Sequence, residues 1–191
     1  MKLENAKVWT VLFCVLASFF SFASVQAKTD GKDVVKQLIE NAHGGVEVHD
    51  VDGHQSLSGY VGTGYRFYLD DKNRLYVYPA IDIKWGEYRA DGGGFKSTSV
   101  ALPITMGYKL FDNEAIRMDL FGGVTFEQIL SVTDNDISYG EVNRSQAGLN
   151  GGTTIRLLNK FSINASYYYG LTSLFNDGNG CTRSYNFSIN F

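Results

Sequence analysis

The residues that could do chemistry are few and unevenly placed. The three histidines, His43, His49 and His54, all precede the first clearly patterned segment of the chain. In His49-Asp50-Val51-Asp52-Gly53-His54 they bring together four potential metal ligands. In an extended segment His49 and His54 point to opposite faces, and their spacing matches no standard zinc or calcium site. The expected reading is a solvated polar loop. A Ser/His hydrolase needs a base beside its nucleophile, and only His49 or His54, on a first outer loop, could supply one. Asp134-Asn135-Asp136 and Asn176–Asn179 read as turn chemistry. The sequence therefore predicts no catalytic residues, no metal ligands, no cofactor and no enzyme.

A second constellation is spread along the chain. Arg66, Asp82, Lys84, Lys109, Arg117, Asp119, Glu127 and Arg156 share the polar face of alternating segments. Charges of both signs on one face fit a paired, structural polar interior better than a transport pathway, because an unpaired buried charge is expensive.

The elements that must hold these residues begin with an export segment. Lys2 and Lys7 precede an uncharged run from Val8 to Val25, and Val25-Gln26-Ala27 offers small residues at a cleavage site. Removing residues 1–27 of the 191 leaves one domain's worth of chain, with 15 basic and 19 acidic residues. That balance provides no basic patch for nucleic acid. Cys14 follows bulky Phe13 inside the apolar run, unlike a lipid-attachment cysteine, and Cys181 is left without an intramolecular partner. Residues 28–44 are expected to form a periplasmic segment. Its short helix over 31–42, with Val34, Val35, Leu38, Ile39 and Ala42 on one side, is expected to rest at the mouth of a barrel formed by residues 45–191.

From residue 57 the period is two. Leu57–Leu69, Arg74–Tyr88, Lys96–Leu110, Ile116–Leu130, Ser145–Leu157, Phe161–Leu171 and Cys181–Phe191 each alternate apolar with polar or small residues. Short turns alternate with longer loops, as in outer-membrane barrels. A further strand is required within Gly45–Asp52 to bring the chain up before Leu57. Pro79 and Pro103, nearly opposite one another, predict a local bulge. The fold class is thus all-β, a closed antiparallel up-and-down transmembrane barrel of about eight strands with a short N-terminal helix.

The polarity of the two faces decides which one is outside. One face carries almost no mid-strand charge, whereas a water-facing surface is typically about 25–35% charged. The apolar face should therefore meet outer-membrane lipid, with Trp85, Tyr108, Phe111 and Phe161 near strand ends as interface girdles. An eight-stranded interior is filled by side chains, which disfavours a diffusion pore. Tyr185, Phe187, Ile189 and Phe191 share the outer face of the last strand, and a strand closing on an aromatic residue resembles the signal read by barrel-assembly machinery. The competing readings are a lipid-modifying outer-membrane enzyme and a soluble periplasmic lipocalin-like barrel that binds an apolar ligand.

Leu102-Pro103-Ile104 with Gly107-Tyr108, Gly122-Gly123-Val124 leading to Ile129-Leu130-Ser131, and Tyr168-Tyr169-Gly170-Leu171-Thr172 before a last strand ending in Phe191 carry a family resemblance. Over residues 57–191 the chain resembles the PorT-like, porin-heading outer-membrane barrels of Gram-negative bacteria. The segment before residue 57 departs from the usual family start. The resemblance implies the barrel fold and the cell outer membrane, and partners among envelope or secretion proteins, since the type member assists protein secretion.

Overall fold

Alternating segments whose two faces differ in polarity can enclose one face by curling, and an eight-stranded sheet curls far enough to close. In the computed structural model the strands are β1 (His43–Val51), β2 (His54–Gly64), β3 (Phe67–Tyr68), β4 (Leu75–Ala90) and β5 (Gly93–Asp112). They continue as β6 (Ile116–Thr133), β7 (Ser145–Leu157), β8 (Phe161–Ser173) and β9 (Cys181–Asn190), and helix α1 (Gly31–Glu40) precedes them. All pair antiparallel with their neighbours. The ring closes where β1 pairs β9, from His43 opposite Asn190 to Val51 opposite Thr182. β2 and β3 are two pieces of one wall strand, both on β4, so the barrel has eight strands. The structure describes residues 31–90, 93–113, 115–133, 141–157, 161–176, 178 and 180–190. The expected leader 1–27, Asp134-Asn135-Asp136, Asn179 and Phe191 lie outside them.

The strand expected within Gly45–Asp52 is a full member of the wall. β1 and β2 form a tight hairpin in which Asp52 and Gly53 both take positive φ, 51° and 88°. Two left-handed residues make the turn type whose twist matches a hairpin, and Asp-Gly is a preferred pair for it. Asp50 Oδ1 accepts the Gly53 amide at 2.9 Å. His49 is therefore not on a loop but inside β1, and His54 opens β2 opposite Val51. The expected polar loop around these histidines shrinks to Asp52-Gly53.

The prolines act without a bulge. Between β4 and β5 the register is the same on both sides of the gap, Pro79 opposite Ile104 and Asp82 opposite Ala101. Pro103, opposite Ala80 in that register, has no N–H to donate, so the ladder is interrupted while alignment survives. On the other edge of β4, Tyr65 donates its N–H to the Pro79 carbonyl at 3.0 Å, and Pro79 has no N–H to return. That lost donor is the physical reason β2 and β3 are separate pieces. The register shifts fall elsewhere, at Thr98/Ser99 and Lys109/Phe111.

Outward residues include Leu57, Val61, Ile83, Ile104, Leu120, Phe126, Leu149 and Ile163, all exposed, together with Trp85, Tyr108, Phe111 and Phe161. Tyr185, Phe187 and Ile189 stand on the same outer surface. An apolar patch that runs around the wall is stable against lipid and a liability in water. Inside, bulky rings sit over glycine: a Cβ on Gly107 would lie 2.2 Å from the Tyr76 ring, and one on Gly148 would lie 2.3 Å from the Tyr168 ring. Tyrosine and glycine are both abundant because each large inward ring needs an empty position beside it.

α1 departs from its expected place. It neither plugs the barrel nor rests at its mouth, but lies beside outward-facing Val61, Thr63, Ile81 and Ile83 of β2 and β4. Its apolar stripe matches the wall and not the polar interior, which decides the side on which it docks.

Leu149→Arg, in the middle of the outer wall, is expected to lower barrel stability in lipid by about 2–4 kcal/mol relative to Leu149→Ala. Denaturant unfolding in vesicles measures it. A wall that faces water would tolerate the arginine.

Candidate functional site

The strand pleat aims every second side chain of eight strands at one axis, so any site must be built from what meets there. Three layers meet. At the end where β4 joins β5 and β8 joins β9, called here the loop end, the interior is apolar. Val51, Tyr88, Phe95, Ile129, Leu174 and Phe175 form one buried cluster, with Val132 and Val142 packed against it. The Tyr88 and Phe95 rings stack at 5.2 Å, and Phe175 meets Phe95 edge-on at 6.5 Å. Leu174 and Phe175 come from the loop after β8, held down by Asn143 N–H to Leu174 O at 2.8 Å and by a bridge between Phe175 and Val142.

Beneath this cap lies a charged layer. The Lys84 ammonium sits 2.8 Å from Glu47 Oε2 and 3.1 Å from Glu127 Oε2. It ties β4 to β1 on one side and to β6 on the other. Ser99 donates to Glu127 Oε1 at 2.6 Å. His49 is 1% exposed, with Nε2 2.7 Å from Ser58 Oγ and Nδ1 3.0 Å from Ser184 Oγ. Glu47 Oε1 lies 3.8 Å from the same Nδ1. Each buried carboxylate faces the Lys84 cation, which is what makes buried charge tolerable.

The third layer occupies the opposite end, called here the turn end. Arg117 clamps Asp119 through Nε and Nη2 at 3.0 and 2.9 Å, and Tyr76 OH donates to the same carboxylate at 3.1 Å. The Arg66 guanidinium lies over Tyr76, 4.6 Å from the ring centre. Lys109 donates to Asp112 at 3.1 Å and sits 4.8 Å from the Tyr68 ring centre. Arg156 stands directly opposite Arg117 on β7. Between the layers is a polar cavity of about 110 Å³, lined by Asn150, Asn164, Asn186, Asn190 and Tyr168 among others. Among the described residues, the buried Asn150 Oδ1 and Asn164 Oδ1 accept from no protein donor, and they face room for water.

The eight polar-face residues all occur in these layers, but in separate groups. Lys84 and Glu127 meet; so do Arg117 and Asp119. Asp82 pairs with neither lysine: its Oδ1 lies 2.9 Å from His43 Nε2, and the other ring nitrogen faces the Asn41 carbonyl at 3.0 Å. Arg66 and Arg156 have no carboxylate within ion-pair distance among the described residues. Sequence reasoning missed Glu47 and His49 as interior residues. The strand expected within Gly45–Asp52 is present, and alternation in Val46-Glu47-Val48-His49 carried the facing, but reading His49–His54 as a loop concealed which side these residues take. It also missed the apolar cap, whose Phe95, Ile129, Leu174 and Phe175 lie at strand ends or in a loop.

Ser58, His49 and Glu47 are the closest approach to a hydrolytic array. Ser58 is 4% exposed, and neither it nor His49 lines the cavity. A nucleophile must share a space with the reacting carbon, and this serine is enclosed by its own barrel. Among the described residues, the arrangement holds buried charge in mutual pairs, and its serine and histidine lie outside the cavity.

Lys84→Met is expected to destabilise the barrel by about 3–5 kcal/mol, because it strands two buried carboxylates. Adding Glu47→Gln and Glu127→Gln should recover most of that loss, read as the denaturant midpoint in micelles.

Comparison with solved structures finds the same architecture at low identity. The outer membrane enzyme PagL aligns over 78% of this chain and 97% of its own, at 11% identity and a TM-score of 0.54. Neisserial surface protein A aligns over 78% and 92%, at 16% identity and a TM-score of 0.50. At these identities the likeness concerns the fold. No curated protein matches the chain. Residues 54–176 match the model of the outer membrane protein beta-barrel domain, and these span β2 through the loop after β8. With an apolar outer wall and a polar, filled interior, the chain belongs to that family and is an outer-membrane protein of the Gram-negative type.

Proposed function

We propose that this barrel is a non-enzymatic outer-membrane scaffold whose loop end serves envelope structure, surface interaction or a protein-export assembly. The observation that carries this reading is the double closure of the interior. An apolar cap of six buried side chains lies over a Lys84 layer whose charges are mutually satisfied. Among the described residues, these two layers block the axis and leave no reactive group beside a substrate-sized space. Work must then be done by outer surfaces. The resemblance of residues 57–191 to PorT-like barrels supports the export branch, with envelope or secretion proteins as partners and assembly machinery acting during biogenesis.

A second reading, a lipid-modifying enzyme, rests on the 2.7 Å contact between His49 Nε2 and Ser58 Oγ. Its weakness is enclosure, since a lipid acyl chain approaches from the outer wall and Ser58 points inward.

Two measurements separate the readings. In planar bilayers the protein is expected to give no conductance above background, and a steady channel would refute the closed interior. In cells overproducing it, the lipid mass spectrum is expected to match that of cells overproducing Ser58→Ala. A product lost on that substitution would establish the enzyme.

A further inference from the structure

α1 is bound to the barrel in a way that a water-exposed helix would not need. The last carbonyls of a helix have no partner within it. Here Thr63 on the outer wall donates its hydroxyl to the Leu38 carbonyl. The chain then tightens, with Asn41 N–H on Gln37 O at 2.9 Å and Ala42 N–H on Ile39 O at 3.1 Å. His43 takes up the Asn41 carbonyl at 3.0 Å. Thr63 is also the polar exception between outward Val61 and the next wall residues, and its hydroxyl is used. Supplying protein partners to a helix end is what surroundings without water demand.

The helix leaves apolar surface uncovered. Val35 is 57% exposed and Ile39 69%, although the wall beside them is itself apolar. Between helix and wall runs an open groove of about 940 Å³, bounded by Val35, Leu38, Ile39, Val61, Ile81 and Ile83. Its volume lies in the range of ordinary small-molecule sites. The opposite side of the helix is charged, with Lys36 and Glu40 3.7 Å apart and well exposed. The groove opens onto the same wall that lipid covers, so its surroundings are continuous with the membrane. α1 enters β1 at the turn end, the end that faces the periplasm in outer-membrane barrels.

We infer that α1 lies in the periplasmic leaflet as an interfacial helix, and that the groove between α1 and the β2–β4 wall is a binding site for phospholipid acyl chains. Val35 and Ile39 face hydrocarbon; Lys36 and Glu40 face headgroups and water. Such a helix needs a large apolar-to-polar contrast and no great length. This site is independent of the proposed scaffold function and would hold equally for an enzyme.

The test uses the full chain with Cys14→Ser and Cys181→Ser, reconstituted in phosphatidylethanolamine/phosphatidylglycerol vesicles. Spin labels are placed singly at Ile39→Cys and Lys36→Cys. The label at 39 is expected to be relaxed by oxygen and shielded from an aqueous nickel chelate, and the label at 36 to show the reverse. Thr63→Val should increase the mobility of the label at 39 while the heat-dependent gel shift of the barrel stays unchanged. Both labels open to nickel would overturn the proposal by placing the helix in water. Both labels closed to nickel and oxygen would overturn it by showing a second copy of the protein over the helix.

Discussion

The position of one ammonium group organises this molecule. Lys84 lies inside a barrel whose outer wall repels charge, so its cost must be met within the lumen. Glu47 from β1 and Glu127 from β6 meet it from two sides of the ring. Each carboxylate then requires its own remaining donors, which brings in Ser99 and the neighbouring His49 with its two serines. A large part of the interior is thereby specified by satisfying one cation. Pairs of this kind add little net stability over apolar packing, but removing one partner is costly, and they can fix register. In a sheet, a slip of one residue would turn the entire network toward lipid.

The same constraint explains the division of labour along the axis. Charge occupies the middle and the turn end, where the cavity admits water beside Asn150 and Asn164. Aromatic and aliphatic groups close the loop end, where Phe95 packs against both Tyr88 and Phe175. The turn end keeps a residual imbalance: Arg117 is matched by Asp119, yet Arg156 stands opposite it in register. Like charges facing across strands are unfavourable. Stacking of Arg66 over Tyr76 and closeness to water at that end offset part of this cost.

Much of the fold was legible because a membrane barrel writes its geometry in a period of two. Ile104, Leu149 and Ile163 could be placed outside, and Lys84 and Glu127 inside, from alternation together with the polarity of the two faces. What was hidden has physical causes. The second and third residues of β1 are Gly44-Gly45, which carry no side chains to alternate, and its turn is only Asp52-Gly53, so His49 read as loop. The break in the second wall strand depends on a hydrogen bond that Pro79 cannot return, a property of its neighbour's sequence. α1 showed its apolar stripe, but a stripe does not say which apolar surface it meets. Partners across the lumen, such as Asp82 with His43 in place of a lysine, follow from barrel stagger, which no single strand records.

The central claim is a closed barrel, polar within and apolar without, seated in the outer membrane. It is tested most directly by the gel mobility, unboiled and boiled, of protein extracted from purified outer membranes. A compact unboiled form that shifts on heating, recovered from a carbonate-resistant fraction, is the predicted result. Recovery from the soluble periplasm with one mobility at both temperatures would contradict it and would mean that the apolar wall faces something other than lipid.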